Sequence, residues 1–253
     1  MAKSEFNQAR RDVLKTLAAG ASALGFSGVF GDYSQAFAQG SQGDDLKTII
    51  DLAATAETFA CTHYYNVLKT GTIKFNAQQV NQIKAALDSE LDHLQFLIAN
   101  GAKPLVTSFF FPFKIWAELD TFVTVTEQGE AIFVGAYLAA IRRIVELGNP
   151  LLAATTAQVV GVEAQHLALF REMGGKLGNN VSLLEAPFFN TSDAVPSLTP
   201  FLKGGPGFES TAAKYPGDGA IRTFVGSNGV TVLKPYTDPS AVKKTIVTPA
   251  AGS

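Results

Sequence analysis

The chain has 253 residues, with 20 Lys and Arg against 22 Asp and Glu, so its formal net charge is −2. This length suits one sizeable domain with appendages. A near-neutral chain without a basic stripe argues against nucleic acid as a partner, and the single cysteine, Cys61, excludes an internal disulfide.

The first 38 residues have the features of an export signal. Residues 9–15 are similar to a twin-arginine signal, although Ala9 and Val13 depart from its preferred polar residue and Phe. A mildly apolar stretch follows, and residues 36–38 (Ala-Phe-Ala) suit cleavage after Ala38. The alternative is an uncleaved membrane anchor, but Gly and Ser dilute the stretch. We therefore predict export to the periplasm or cell envelope, with no stable membrane span after cleavage.

Two helices are predicted next. The first runs from about Asp44 to Lys69, where apolar residues recur at three- and four-residue steps. The second begins after Asn76 as N-cap, with Gln79 placed for a capping box, and ends at Gly101. Because the connection between them is short, we expect an antiparallel hairpin.

A second hairpin is predicted further along the chain. Its first helix runs from about Leu119 or Thr121 to Leu147. Its second helix begins at Asn149-Pro150, with proline at the first helical position, and ends at Gly174. The two helices are again joined by only a few residues, so they should also be antiparallel.

The segment between the hairpins, residues 102–119, is long enough to travel from one end of a bundle to the other. It contains Pro104 and the run Phe109-Phe110-Phe111-Pro112-Phe113. We expect these rings to cover the side of the bundle. A membrane-dipping loop or an oligomer contact is the alternative.

Residues 181–253 are rich in Gly, Pro, Ser and Thr and show no helical period. Two alternating pieces, Ile221–Val225 and Val230–Leu233, flank Ser227-Asn228-Gly229 and predict a small β-hairpin. We expect an irregular C-terminal extension with short β pieces, which packs on the bundle through three phenylalanines: Phe188, Phe189 and Phe201.

The two hairpins carry the same set of polar residues, and the second copy lies 73 residues after the first. Each copy has a lone glutamate, a tyrosine seven residues later, and a Glu-x-x-His motif. The copies are Glu57, Tyr64, Glu90 and His93, and Glu130, Tyr137, Glu163 and His166.

Helical geometry makes this set a candidate metal site. Residues three apart share a helix face, so each Glu-x-x-His pair can reach one metal ion. The tyrosines are nearly two turns from the lone glutamates, so their hydroxyls are candidates for hydrogen bonds to ligand carboxylates. Four carboxylates facing an apolar core would repel one another and lose hydration, and two divalent cations would remove both problems. We therefore predict a dimetal site in a four-helix bundle.

Three other residues are weaker candidates. Glu127 is an alternative to Glu130, but the repeat spacing favours Glu130. His63 lies off the ligand face and is expected to be a helix-surface or capping histidine. Cys61 is one turn from Glu57, and a small buried hydrophobe is favoured over a ligand role.

Through these motifs, residues 44–174 resemble the ferritin-like superfamily, and within it the exported proteins often labelled desiccation-related. The resemblance implies an all-α domain over residues 44–175, with two antiparallel hairpins joined by a long crossover. It also implies terminal carboxylates at Glu57 and Glu130, bridging carboxylates at Glu90 and Glu163, and capping imidazoles at His93 and His166. The export signal and the long tail depart from storage ferritins and argue against cage assembly and iron storage.

Mixed carboxylate and imidazole ligands suit Fe or Mn. The leading functional hypothesis is a redox enzyme acting on O₂ or H₂O₂, in the manner of a ferroxidase, a peroxidase or a dimanganese catalase. The alternative is a non-catalytic stress or envelope protein with a structural or vestigial metal site. The sequence also allows a homodimer.

Overall fold

A computed structural model describes residues 43–226 and 235–236. The predicted export signal, residues 1–38, lies outside these residues. So does the second predicted strand, Val230–Leu233.

Four long helices make up most of the described chain. They are α1 (Leu46–Lys69), α2 (Ala77–Ala99), α3 (Leu119–Glu146) and α4 (Pro150–Met173). The predicted start signals of α2 and α4 are in place: Asn76 and Gln79 form a reciprocal capping box on α2, and Asn149 caps α4. Asp45 caps α1. The prediction of an all-α bundle is therefore confirmed.

The four helices form two antiparallel pairs, α1 with α2 and α3 with α4. The first helices of the two pairs also run in opposite directions. The Nε of Arg143, near the end of α3, donates to the carbonyl oxygen of Asp44, just before α1, at 2.7 Å. At the other end, Phe75 before α2 packs edge-on against Phe122 at the start of α3. This arrangement requires the chain to return along the bundle between the two pairs.

Residues 100–118, the crossover, make that return along α1. The backbone N–H of Lys103 donates to the Asp51 carboxylate at 2.8 Å, and that of Thr72 donates to the carbonyl of Trp116, also at 2.8 Å. Phe111 is buried, and its ring stacks on Phe59 of α1. Phe109 and Phe111 of the phenylalanine run are buried, as expected for rings that cover the side of the bundle.

The C-terminal extension is more helical than predicted. It contains a 3₁₀ helix (Thr191–Ala194), α5 (Val195–Lys203) and α6 (Asp218–Val225). The predicted strand Ile221–Val225 is wrong, because it lies in α6. Its apolar residues work at helical spacing: Ile221 and Val225 are one turn apart and both buried, and Phe224 packs edge-on against Tyr65.

A short β piece is present in the extension, but at a different place. β1 (Ser108–Phe109) of the crossover pairs antiparallel with β2 (Ala213–Lys214) of the extension, with Ser108 opposite Lys214. The extension is thus joined by backbone hydrogen bonds to the segment that connects the hairpins.

The extension also holds the bundle at separate points. Asp44 accepts hydrogen bonds from the N–H and hydroxyl of Ser192, at 2.8 and 2.6 Å. Gly135 of α3 permits close approach, since a Cβ there would lie 2.8 Å from the ring of Pro187. Phe201 is buried, whereas Phe189 is largely exposed beneath the guanidinium of Arg142.

In the part of the chain that the structure describes, no helix combines the length and the apolar character needed to cross a membrane.

Candidate metal centre

The middle turns of the four long helices bring the six predicted ligands together inside the bundle. Glu57 comes from α1, Glu130 from α3, and the two Glu-x-x-His pairs from α2 and α4. None of the six is more than 6% exposed. The Nδ1 of His93 lies 3.1 Å from a Glu163 oxygen, and the Nδ1 of His166 lies 3.0 Å from a Glu90 oxygen.

The donor atoms fall into two overlapping groups. One consists of Glu57, Glu90, His93 and Glu163, and the other of Glu90, Glu130, Glu163 and His166. Within each group, one atom from every residue lies within 4.8 Å of the others. Glu90 and Glu163 belong to both groups, so each of these carboxylates faces two adjacent positions for a cation.

The donor set fits a divalent metal, because most of its polar atoms lack a hydrogen-bond partner. Among the described residues, none forms a hydrogen bond with the Nδ1 of His93 or of His166, or with six of the eight carboxylate oxygens of the four glutamates. Buried polar groups normally have partners, and a buried unpaired charge is expensive. Cations at the two positions would supply the missing partners and neutralise the carboxylates.

The pKa shifts follow from the same crowding. Burial, reinforced by the charges of Glu90 and Glu163, raises the pKa of Glu57 and Glu130. Burial opposes charge on both histidines, but the carboxylates around them outweigh it and raise the pKa of each. Without a metal ion, these shifts favour the protonated forms of the imidazoles and of the two lone glutamates. Metal binding is therefore expected to release protons.

The two predicted tyrosines contact the lone glutamates crosswise. Tyr64 of α1 donates its hydroxyl to Glu130 of α3, and Tyr137 of α3 donates to Glu57 of α1. Burial, followed by the carboxylate each one faces, raises the pKa of both phenols. Each tyrosine therefore remains a donor, and it fixes the lone carboxylate of the other hairpin.

Ser89 is a contributor that the sequence reasoning missed. Its hydroxyl donates to the carbonyl of Ala86 and lies 3.0 Å from the Nε2 of His166. Since the hydroxyl proton is already committed, Nε2 must carry the hydrogen, which directs Nδ1 to the carboxylates. The repeat could not reveal this residue, because the equivalent position before Glu163 is Val162.

Glu127 and Glu130 have different surroundings. Glu127 pairs with Arg171 at 2.9 Å and with Lys176 at 2.5 Å, outside the cluster. Glu130 lies within it. Of the two glutamates, Glu130 is therefore the one that lies with the other candidate donors.

His63 is not the surface or capping histidine that was expected. It is buried, its Nδ1 accepts from the indole N–H of Trp116 at 3.1 Å, and its Nε2 lies 2.9 Å from the Thr126 hydroxyl. Burial lowers its pKa to about 3, so the ring is neutral. Sequence spacing on α1 could not anticipate this contact, because Trp116 arrives from the crossover.

Cys61 is buried and belongs to neither donor group. Burial, followed by the charges of Glu90 and Glu57, raises the pKa of its thiol, which disfavours the thiolate that a metal would need. The side chain therefore serves as a small apolar residue.

A protein-family model matches the part of the chain that contains these residues. The family model described as ferritin-like domain matches residues 35–176, more than half of the chain. The chain belongs to the ferritin-like family. No curated protein and no solved structure matches it.

In this ferritin-like protein, the matched region contains all four long helices and all six buried donors. The two repeated copies contribute to both donor groups, so neither hairpin contains a complete site by itself. The cluster therefore fits a metal centre formed between the hairpins.

Proposed function

We propose that this ferritin-like protein binds two divalent ions, Fe or Mn, and uses them in redox reactions of O₂ or H₂O₂. The proposal is carried by the two groups of four buried donors that share Glu90 and Glu163. Carboxylate and imidazole donors suit both metals. We expect the substrate to be the small-molecule oxidant itself, O₂ or H₂O₂.

Each residue has a distinct part in this proposal. Glu57 and His93 would hold one ion and Glu130 and His166 the other, with Glu90 and Glu163 contacting both. Two such ions, when bound, supply two-electron exchange with O₂ or peroxide.

The surrounding residues prepare the donors. The hydroxyls of Tyr64 and Tyr137 orient Glu130 and Glu57, and Ser89 selects the tautomer of His166. Burial of all donors excludes bulk water, which strengthens their electrostatic interaction with a cation.

A matched pair of variants tests metal binding. Glu130→Ala removes a donor, whereas Glu127→Ala removes an ion-paired carboxylate one turn away on the same helix. After purification and titration with Fe(II) or Mn(II), we expect two equivalents in the wild type and in Glu127→Ala, and a reduced number in Glu130→Ala. Equal binding by all three proteins would contradict the proposal.

Redox activity requires a separate measurement. Iron-loaded protein should oxidise Fe(II) with O₂ or H₂O₂, or manganese-loaded protein should disproportionate H₂O₂, faster than the free metal does. Metal binding without any of these reactions would favour the second candidate, a non-catalytic stress or desiccation-related envelope protein. The near-complete burial of the six donors, which suits a structural ion, is the observation that favours that candidate.

We also propose export by the twin-arginine route, on the pattern of residues 1–38. Replacing Arg10 and Arg11 by Lys should leave the protein in the cytoplasmic fraction, with its precursor uncleaved. Normal cleavage and export of that variant would contradict this proposal.

A further inference from the structure

A small cavity lies inside the bundle next to the candidate metal centre. Its volume is about 20 Å³, and all four long helices line it. His93 and Tyr137 form the side nearest the metal ligands. The remaining lining residues lie towards the end of the bundle where α1 and α4 begin, as the positions of Ala53, Ile144 and Val159 show.

The cavity offers almost no hydrogen bonds. Its lining is apolar apart from three residues, and two of these are already engaged: the Thr156 hydroxyl donates to the carbonyl of Leu152, and the Tyr137 hydroxyl donates to Glu57. The Nδ1 of the third, His93, faces the carboxylates, so a guest could find at most the Nε2 of that ring as a hydrogen-bond partner. The space is sufficient for a guest about the size of a water molecule, but an apolar cavity stays dry and accepts apolar gases.

An outer groove adjoins this cavity. It has a volume of about 30 Å³ and lies between α1 and α3, beneath the 3₁₀ helix and α5 of the extension. Both spaces are lined by Ala53, Tyr137 and Ala140. These three residues form a wall common to the two spaces, and apart from Thr191 and the engaged Tyr137 the residues that line the groove are apolar.

We propose that the groove and cavity admit and hold dioxygen, so that O₂ rather than H₂O₂ is the oxidant that reaches the metal centre by this route. The inference rests on the proposed function, because it assigns the oxidant of that same site. H₂O₂ would lose its hydrogen bonds with water and regain few in such a lining, and ions would lose their hydration. O₂ has no hydrogen bonds to lose, and its transfer from water to an apolar space is favourable.

Xenon, an apolar atom with no chemistry at the metal, tests the cavity directly. Crystals of the metal-loaded protein are exposed to xenon under pressure, and its positions are found by anomalous diffraction. We expect xenon in the space bounded by Ala53, Tyr137 and Ala140. An empty space, or one filled by ordered water, would overturn the proposal.

Two substitutions then link occupancy to reaction. Ala140→Val narrows the junction between the two spaces, and Ala136→Leu narrows the outer groove, where the half-buried side chain has room to adjust. The control is Ala85→Leu, which enlarges a half-buried alanine of α2 that lines neither space. Circular dichroism and metal titration establish that each variant folds and loads.

The variants should separate the two oxidants. In Ala140→Val and Ala136→Leu, we expect xenon occupancy to fall and the O₂-driven oxidation of Fe(II) to slow by about tenfold or more, equivalent to ~1.4 kcal/mol in the barrier. The H₂O₂-driven rate of these two variants should be unchanged, and so should both rates of the control Ala85→Leu. Equal slowing with both oxidants, or unchanged O₂ kinetics despite lost xenon, would overturn the route. Failure of the proposed function is distinguishable, because loss of metal binding leaves xenon occupancy intact.

Discussion

The crosswise tyrosine contacts make a prediction that distinguishes tertiary structure from sequence proximity. Tyr64 and Glu57 share a face of α1, nearly two turns apart, yet the Tyr64 hydroxyl donates to Glu130 on α3. The Tyr137 hydroxyl likewise reaches Glu57. Tyr64→Phe should therefore weaken the metal position served by Glu130, and Tyr137→Phe the one served by Glu57.

The size of the effect follows from burial. The phenols are 1% and 6% exposed, so water cannot replace a lost hydroxyl. A hydrogen bond to a charged group contributes ~1.5–3 kcal/mol, which corresponds to about a 10- to 100-fold weaker metal affinity at one of the two positions. The fold should survive, because phenylalanine keeps the ring and its packing.

Calorimetric titration with Mn(II), compared with Glu57→Gln and Glu130→Gln, measures the effect. Tyr64→Phe and Glu130→Gln should weaken the same one of the two metal-binding steps. Tyr137→Phe and Glu57→Gln should both weaken the other step. Tyr65→Phe is the control, since the Tyr65 ring packs against Phe224. The reasoning is refuted if Tyr64→Phe instead resembles Glu57→Gln, or if the control weakens binding equally.

Three further outcomes are expected. Because the pKa values of His93 and His166 are raised, metal binding should release protons and weaken as pH falls; calorimetry in buffers of different ionisation enthalpy measures the release. The pKa of His63 is lowered to about 3 in the folded protein, against about 6.5 in the unfolded chain, so the neutral ring favours folding above pH ~6.5 and this stability is lost as the pH falls towards 3. In denaturant titrations, the free energy of unfolding of His63→Phe should therefore fall less steeply between these pH values than that of the wild type. Arg222 of α6 pairs with Asp88 of α2 while partly exposed, so Arg222→Ala should cost about 1 kcal/mol or less and expose the extension to limited proteolysis before the bundle.

Each of these has an opposing result. Buffer-independent binding enthalpies would mean that the imidazoles are already deprotonated. Parallel stability curves for wild type and His63→Phe would mean that His63 titrates alike in the folded and unfolded chains. Simultaneous cleavage of bundle and extension in Arg222→Ala would mean that this ion pair does not hold α6 in place.

The bundle and the six candidate donors could be predicted from the sequence because helical geometry is local. Residues three apart share a face wherever the helix lies, so Glu90 and His93 had to project together. Start signals such as Asn76 with Gln79 act within a single turn, and the structure places them as predicted. The spacing of the repeat also favoured Glu130 over Glu127 as the candidate ligand on α3.

The extension was predicted less well because its local signals are weak. Ile221 and Val225 fit both an alternating and a helical pattern in so short a segment. The position of Phe224 against Tyr65 is a contact with α1, and no local spacing specifies it. Packing against the bundle therefore decided the helical state of α6.

The remaining properties of the site depend on contacts between distant segments. The pairing of Tyr64 with Glu130, the tautomer of His166 set by Ser89, and the neutral His63 bound by Trp116 each join residues more than fifty positions apart. The sequence by itself determined which side chains each helix presents, since that depends on backbone period. Only tertiary structure decided which of them meet, because that depends on how two hairpins and a crossover pack into a single core.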